Sequence, residues 1–157
     1  MDMTSLAVVR VRGDVGLHPD VRKTFDLLRL HQKHACVVVN FENARSMLNA
    51  VKDFTTFGEI DKKTLVKLLR TRGRMAGNKP ITEEFVKDKT KYNFDELAEA
   101  ILDGKISLNQ IPGFKPFFRL QPPVGGFERS GIKRGYGEGG VLGYRSKNIN
   151  KLLEKMI

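Results

Sequence analysis

The chain opens with alternating short apolar runs and helical periods. Leu6-Ala7-Val8-Val9-Arg10-Val11-Arg12 is β-branched and ends in alternation, with Ala7, Val9 and Val11 toward one face and Arg10 and Arg12 toward the other. Gly13 and Gly16 end that strand. His18-Pro19-Asp20 opens a helix with Val21, Phe25 and Leu28 along one side, since proline suits the first helical turn. Ala35-Cys36-Val37-Val38-Val39 reads as a strand covered on at least one face, with Cys36 inside. From about Asn43, Ala44, Met47, Leu48 and Val51 keep the spacing of a second amphipathic helix. Residues 54–60 form a third strand. The order β-α-β-α-β over residues 1–60 predicts an α+β fold, a two-layer core with both helices on one side of a three-stranded sheet.

From Asp61 the pattern turns helical. Asp61 precedes a helix with Leu65, Leu68 and Leu69 inside, ending at Gly73. A short helix starts near Thr82, and Asn93 with Glu96 makes a capping pair before Leu97, Ala98 and Ile101. Ser107 with Gln110 reads as a capped turn. A last helix carries Ile149, Leu152, Leu153 and Met156 on one side, with Ser146 as its cap. Residues 113–145, rich in Gly, Pro, rings and cations, make a loop too long for a compact domain unless something orders it. The domain reading is a core at 1–60 and a helical, basic, Gly-rich extension at 61–157 with a C-terminal helix.

Charge changes this picture. The formal net charge is +10, and residues 1–60 hold 8 Lys/Arg against 7 Asp/Glu while residues 111–157 hold 9 against 3. Lys62 to Thr82 contains seven basic residues and no acidic one. Crowded like charges repel, so folding alone does not call for such a run. Cations that neutralise phosphates release condensed counterions, which makes nucleic acid the first partner to consider. An apolar content of 40% supports a real core. A single cysteine excludes an intrachain disulfide framework, and neither the Met1-Asp2-Met3-Thr4-Ser5 start nor any later stretch carries a leader or a membrane span. The expectation is a soluble, cytoplasmic protein with no membrane partner and no small-molecule substrate.

The candidate motifs for chemistry are weak. Gly135-Tyr136-Gly137-Glu138-Gly139-Gly140 matches G-x-G-x-x-G, but a dinucleotide site needs a strand before it, a helix opening within it and a later acidic residue. A glycine-loosened backbone is the plain alternative. A third reading fits better: the glycines permit close approach to RNA while Lys133, Arg134, Tyr136, Tyr144 and Arg145 supply charge and stacking planes. Gly73 to Pro80 departs from the phosphate-loop pattern and reads either as an exposed turn or as a phosphate-contacting segment using Arg70, Arg72, Arg74 and Lys79. His31, His34 and Cys36 lack a fourth ligand for a metal. No carboxylate pair stands out for acid/base work. The expectation is no cofactor, no metal and no enzyme. Residues 114–119 and 127–129 interleave rings with cations, so each ring either packs the extension, with an added strand at 117–121, or stacks on an unpaired base.

The segments Leu6 to Gly13, Leu27-Leu28-Arg29-Leu30-His31, Cys36 to Val39, Val51-Lys52-Asp53, Gly58-Glu59-Ile60-Asp61, Leu68 to Lys79 and Gly139 to Arg145 follow in an order that resembles a known family. It is the archaeal and eukaryotic type of large-subunit ribosomal protein thirty, in its archaeal-length form. The resemblance spans essentially the whole chain. It implies a somewhat ferredoxin-like three-stranded core, a helical extension, and a structural role on ribosomal RNA of the large subunit. It further implies neighbouring ribosomal proteins as partners and proximity to the small RNA of that subunit. By similarity, Arg29, His31 and the stretch Arg70 to Lys79 face RNA. With the basic and aromatic positions noted above, the expected RNA-facing set is Arg29, His31, Lys33, Arg70, Arg72, Arg74, Lys79, Arg119, Arg129, Lys133, Arg134, Tyr136, Tyr144, Arg145 and Lys147. A free-standing RNA chaperone or translational regulator would use the same surface.

Overall fold

Strand β1 (Ser5–Arg10) lies at the centre of the sheet, antiparallel to β2 (Ala35–Asn40) on one side and β3 (Thr55–Glu59) on the other. The computed structural model describes residues 5–157; the opening residues 1–4, noted above for lacking a leader pattern, lie outside the described residues. Opposite Val9 stand Cys36 and Thr56, and opposite Ala7 stand Val38 and Gly58, so these six share one face. Leu6, Val8, Ala35 and Val37 line the other.

Helices α1 (Pro19–Leu28) and α2 (Phe41–Val51) cover that second face with Phe25, Leu28, Ala44, Leu48 and Val51. His18 caps α1, its Nδ1 accepting from the Asp20 N–H at 3.3 Å. Asn40 Oδ1 accepts from the Glu42 N–H at 3.0 Å and starts α2 two residues before the Asn43 expected from periodicity alone. Arg10 does lie opposite Val9 and Val11, but α1 closes over it. Only 1% exposed, it donates from Nη1 to the Leu30 carbonyl at 2.8 Å and from Nε to that of Arg12 at 2.9 Å. Its guanidinium also pairs with Asp14 and sits 4.1 Å from the Phe25 ring centroid.

The extension covers the remaining face. Helices α3 (Lys62–Arg72), α4 (Glu83–Thr90), α5 (Phe94–Leu102) and α6 (Ile149–Met156) bury Leu65, Leu68, Leu69, Val86, Leu97, Ile101, Ile149, Leu153 and Met156 in one cluster with Ala7, Val9 and Cys36. The expected two-layer β-α-β-α-β unit is present, and the sheet beneath it gains a second helical layer. Thr82 and Asn93 cap α4 and α5 as their side chains predict, and Glu96 accepts from the Asn93 N–H at 3.0 Å. Ser107 and Gln110 form the capping box of a single 3₁₀ turn, Leu108–Gln110. A hairpin of β4 (Arg74–Met75) and β5 (Lys79–Pro80) follows α3.

The extension also adds both outer strands. β6 (Phe118–Arg119), inside the predicted 117–121 strand, joins β2 antiparallel, and β7 (Gly143–Tyr144) joins β3 parallel, giving the order β6-β2-β1-β3-β7. Beyond β7, Ser146 opens a 3₁₀ turn rather than capping α6, which begins at Ile149 after Asn148. That turn passes so close to β3 that a Cβ on Gly58 would stand 2.0 Å from the Ser146 carbonyl oxygen. Asn150 fixes the join: its Oδ1 accepts from the Asp61 N–H at 2.9 Å while Nδ2 donates to the carbonyls of Glu59 and Lys147.

Residues 113–145 are held by the chain's own groups. Phe127 and Ile132 pack against Val11, Val141 and Leu142. The Arg134 carbonyl accepts from Val141 at 3.0 Å and from Leu142 at 3.1 Å. Arg145 locks the segment to the sheet. Its Nε donates to Thr56 Oγ1 at 2.7 Å, Nη1 pairs with Glu128 at 2.5 Å, Nη2 donates to the Val141 carbonyl at 2.9 Å, and the Tyr136 ring lies 4.8 Å away. A long segment with only short regular elements is thereby stapled through one buried guanidinium.

Candidate nucleic-acid interface

Three short segments meet where α3 ends. α3 hands over to the β4–β5 hairpin, whose turn uses Gly77 and Asn78 in left-handed backbone (φ 81° and 62°). The chain at 113–115 pairs with this hairpin: the Ala76 N–H donates to the Gly113 carbonyl at 2.8 Å and the Lys115 N–H to that of Arg74 at 3.0 Å. Three residues later β6 docks on β2, placing Arg119 opposite Ala35 and Phe118 opposite Cys36. The result is a cleft of about 160 Å³ lined by Arg72, Arg74, Asn78, Lys115, Phe117 and Arg119.

Four cations and one ring thus share a small concavity. Among the described residues none of the four cations pairs with a carboxylate. Arg74 Nη1 donates to the Gly73 carbonyl at 2.9 Å, which holds the guanidinium at the rim. Arg72 reaches the Ile157 carbonyl with Nη2 at 3.4 Å, while its buried Nε–H has no acceptor. Uncompensated positive charge in a concavity concentrates its field and attracts an anion. Forked guanidiniums suit phosphate oxygens, and the ring offers a stacking plane.

The expected positions divide. His31 reaches this region: its ring stands edge-on to Phe117, with centroids 6.5 Å apart, and its Nδ1 lies 3.3 Å from Asp26. Arg70, from the same run as Arg72 and Arg74, turns away to Glu83 at 3.7 Å and over the Phe94 ring. Lys79 is exposed on β5 but does not line the cleft. Arg29 is exposed at the end of α1 and lines a separate groove with Leu27, Met47 and Pro116. Lys33, Arg129, Arg134 and Lys147 are exposed. Lys133 faces a second basic groove of about 540 Å³ with Arg12 and Lys52. Tyr144 keeps an exposed ring, its hydroxyl donating to Glu59 Oε1 at 2.8 Å; that bond holds the phenol above its usual pKa. Tyr136 and Arg145 are engaged with each other. With a side chain only 1% exposed, Arg145 is turned into the fold, and each of its three guanidinium nitrogens donates to a partner inside the chain.

Sequence reasoning missed Arg12 and Lys52, covered Asn78 only as part of the stretch Arg70 to Lys79, and left Lys115 and Phe117 unassigned. The available signal was the interleaving in Lys115-Pro116-Phe117-Phe118-Arg119, where every second residue of an edge strand faces out. Phe114 and Phe118 are buried while Phe117 is half-buried at the cleft. The Gly135–Gly140 run forms a 3₁₀ turn at Tyr136–Glu138, with Gly140 tight against the Arg134 backbone, so the strand-to-helix setting of a dinucleotide site is not formed there.

Among the described residues no three His, Cys, Asp or Glu side chains gather as metal ligands, and no helix is long and apolar enough to cross a membrane. His34 stacks on Phe127, and burial, followed by the Lys33 charge, lowers its pKa. Cys36 lies fully buried, and burial pushes its thiol up to about 12. A thiol reagent at pH 8 is therefore expected to leave the native protein unlabelled and to label it once denatured. Rapid labelling of native protein would contradict this placement.

Comparison with known proteins points in one direction. The family model described as ribosomal protein L30p/L7e matches residues 6–54, from β1 to the start of β3. Large ribosomal subunit protein uL30 of Methanococcus maripaludis is 51% identical over 152 residues, covering 96% of this chain and 98% of the relative. The uL30 of Nanoarchaeum equitans is 44% identical over 156 residues, covering 99% and 100%. That of Staphylothermus marinus is 49% identical over 158 residues, covering 96% and 97%.

Proposed function

Because the chain belongs to the L30p/L7e family of ribosomal proteins, we propose that it is a structural constituent of the large ribosomal subunit in the cytoplasm, where it binds and braces ribosomal RNA. The observation that carries the RNA contact is the cleft of Arg72, Arg74, Lys115 and Arg119, cationic and without carboxylate partners among the described residues. A rigid sheet with helices on both faces presents these groups in fixed positions, so little ordering entropy is lost on binding. Phosphate contacts then set orientation, and shape and unpaired bases set specificity. Arg29, His31, Lys33 and Lys79 extend the basic surface on this side, while Lys133 with Arg12 and Lys52 offers a second contact on another groove. The small RNA of the subunit and neighbouring ribosomal proteins are further partners in this reading. The core at 1–60 acts as the platform and carries part of the basic surface, while the extension at 61–157 supplies the residues that line the cleft. The role is binding, with no turnover.

Sedimentation tests it. The protein is expected to travel with large subunits through a wash in high salt and to bind purified large-subunit RNA with affinity that falls as salt rises. Release from the particle in the wash, with activity on free RNA alone, would instead make it a chaperone or regulator.

A further inference from the structure

We propose that the cleft at the end of α3 receives a single unpaired nucleotide, its base laid on the Phe117 ring and its phosphate held by Arg74, Lys115 and Arg119. This rests on the RNA-binding reading above and specifies what that site takes. Three observations carry it. Of the three rings in residues 114–118, Phe114 and Phe118 are fully buried, whereas Phe117 packs only in part against the core beneath α1 and α2 and also lines an open cleft. His31 meets Phe117 in a T-shaped contact with planes at 90°, so no second ring is stacked parallel on Phe117 by this contact. The Arg119 guanidinium lies over the Phe117 ring, 5.9 Å from its centroid, a mobile planar group that an entering base would displace outward and stack beneath.

The charge around the ring supplies the rest. A packing phenylalanine does not require three cations beside it without carboxylate partners, whereas a base arrives attached to a phosphate. Asn78, held at the rim by its left-handed turn, offers both a donor and an acceptor to a base edge. Bases paired in an A-form duplex have their faces stacked away, so a stacking site of this kind selects an unpaired residue.

The test compares two hairpin RNAs of equal length, one fully paired and one with a single unpaired 2-aminopurine. The protein is expected to bind the second about five- to 150-fold more tightly, the range of one base–ring stack. It should also quench the 2-aminopurine fluorescence. Phe117→Leu should erase the preference and the quenching while keeping the salt slope, and Phe117→Tyr should restore both. Equal binding and quenching by wild type and Phe117→Leu would overturn the nucleotide assignment and leave RNA binding standing. Absence of salt-sensitive binding to either hairpin and to large-subunit RNA would remove both. Should Phe117→Leu fail to fold, the wild-type comparison of the two hairpins decides alone, and equal affinity without quenching sinks the proposal.

Discussion

Arg145→Met is expected to unfold about 3–5 kcal/mol more readily than wild type, the range for breaking a buried ion pair from one side. The side chain is only 1% exposed and joins four separate places: Thr56 on β3, Glu128 and Tyr136 in the long loop, and Val141 before β7. Methionine keeps an apolar stem but leaves Glu128 without its cation and Thr56 without its donor. Glu128, with a side chain 29% exposed, recovers part of its hydration, which places the effect toward the lower end. Urea melts give the stability change, and limited proteolysis should show first cleavage between residues 125 and 141. Exposed Arg129→Met, a like change with no partner to lose, should stay within about 0.5 kcal/mol of wild type. If both variants melt together, Arg145 is not the staple described above.

The second large effect is on binding. Removing Arg74, Lys115 and Arg119 together by alanine should weaken binding to large-subunit RNA on the order of a hundredfold at physiological salt. The slope of log affinity against log salt should fall by about 2 to 3, roughly 0.7–0.9 for each phosphate no longer neutralised. The matched control is Lys87→Ala, Lys89→Ala and Lys91→Ala on and just after α4. It removes the same charge from exposed positions outside the cleft. Equal losses in the two triples would mean that bulk charge, and not this cleft, holds the RNA.

Much of the architecture was legible because it is written in repeating patterns. The three central strands, α1 through its His18-Pro19 start and α5 through its Asn93–Glu96 box all follow from local residues. The second helical layer was also signalled: Ala7, Val9, Cys36 and Val38 are apolar on the face opposite α1 and α2, and such a face must be covered. What was hidden depends on single long-range meetings. β7 is two residues long, too short for any period to show, and β6, also two residues, was legible only as one of two readings of the 117–121 stretch. Arg145 and Arg119 look alike in sequence, both beside aromatic residues. Only the placement of Glu128, 17 residues before Arg145, turns one inward, and only pairing with β2 turns the other out. The same register decides that Phe118 packs and Phe117 lines the cleft. Asn78, Arg12 and Lys52 come into their sites from neighbouring elements, which no linear motif records.

The parallel pairing of β7 with β3 and the packing of α6 beneath it set a temporal order on the birth of this molecule. A nascent chain holding only its first 60 residues has both rims of its small sheet bare and Ala7, Val9 and Cys36 facing water. Helices emerging later shelter the floor piecemeal, but β3 stays unzipped until residues 143–157 arrive. Arg72 likewise waits for the Ile157 carbonyl to steady its guanidinium. A chain lacking residues 143–157 is therefore expected to keep a bare β3 edge and to be sticky and protease-prone.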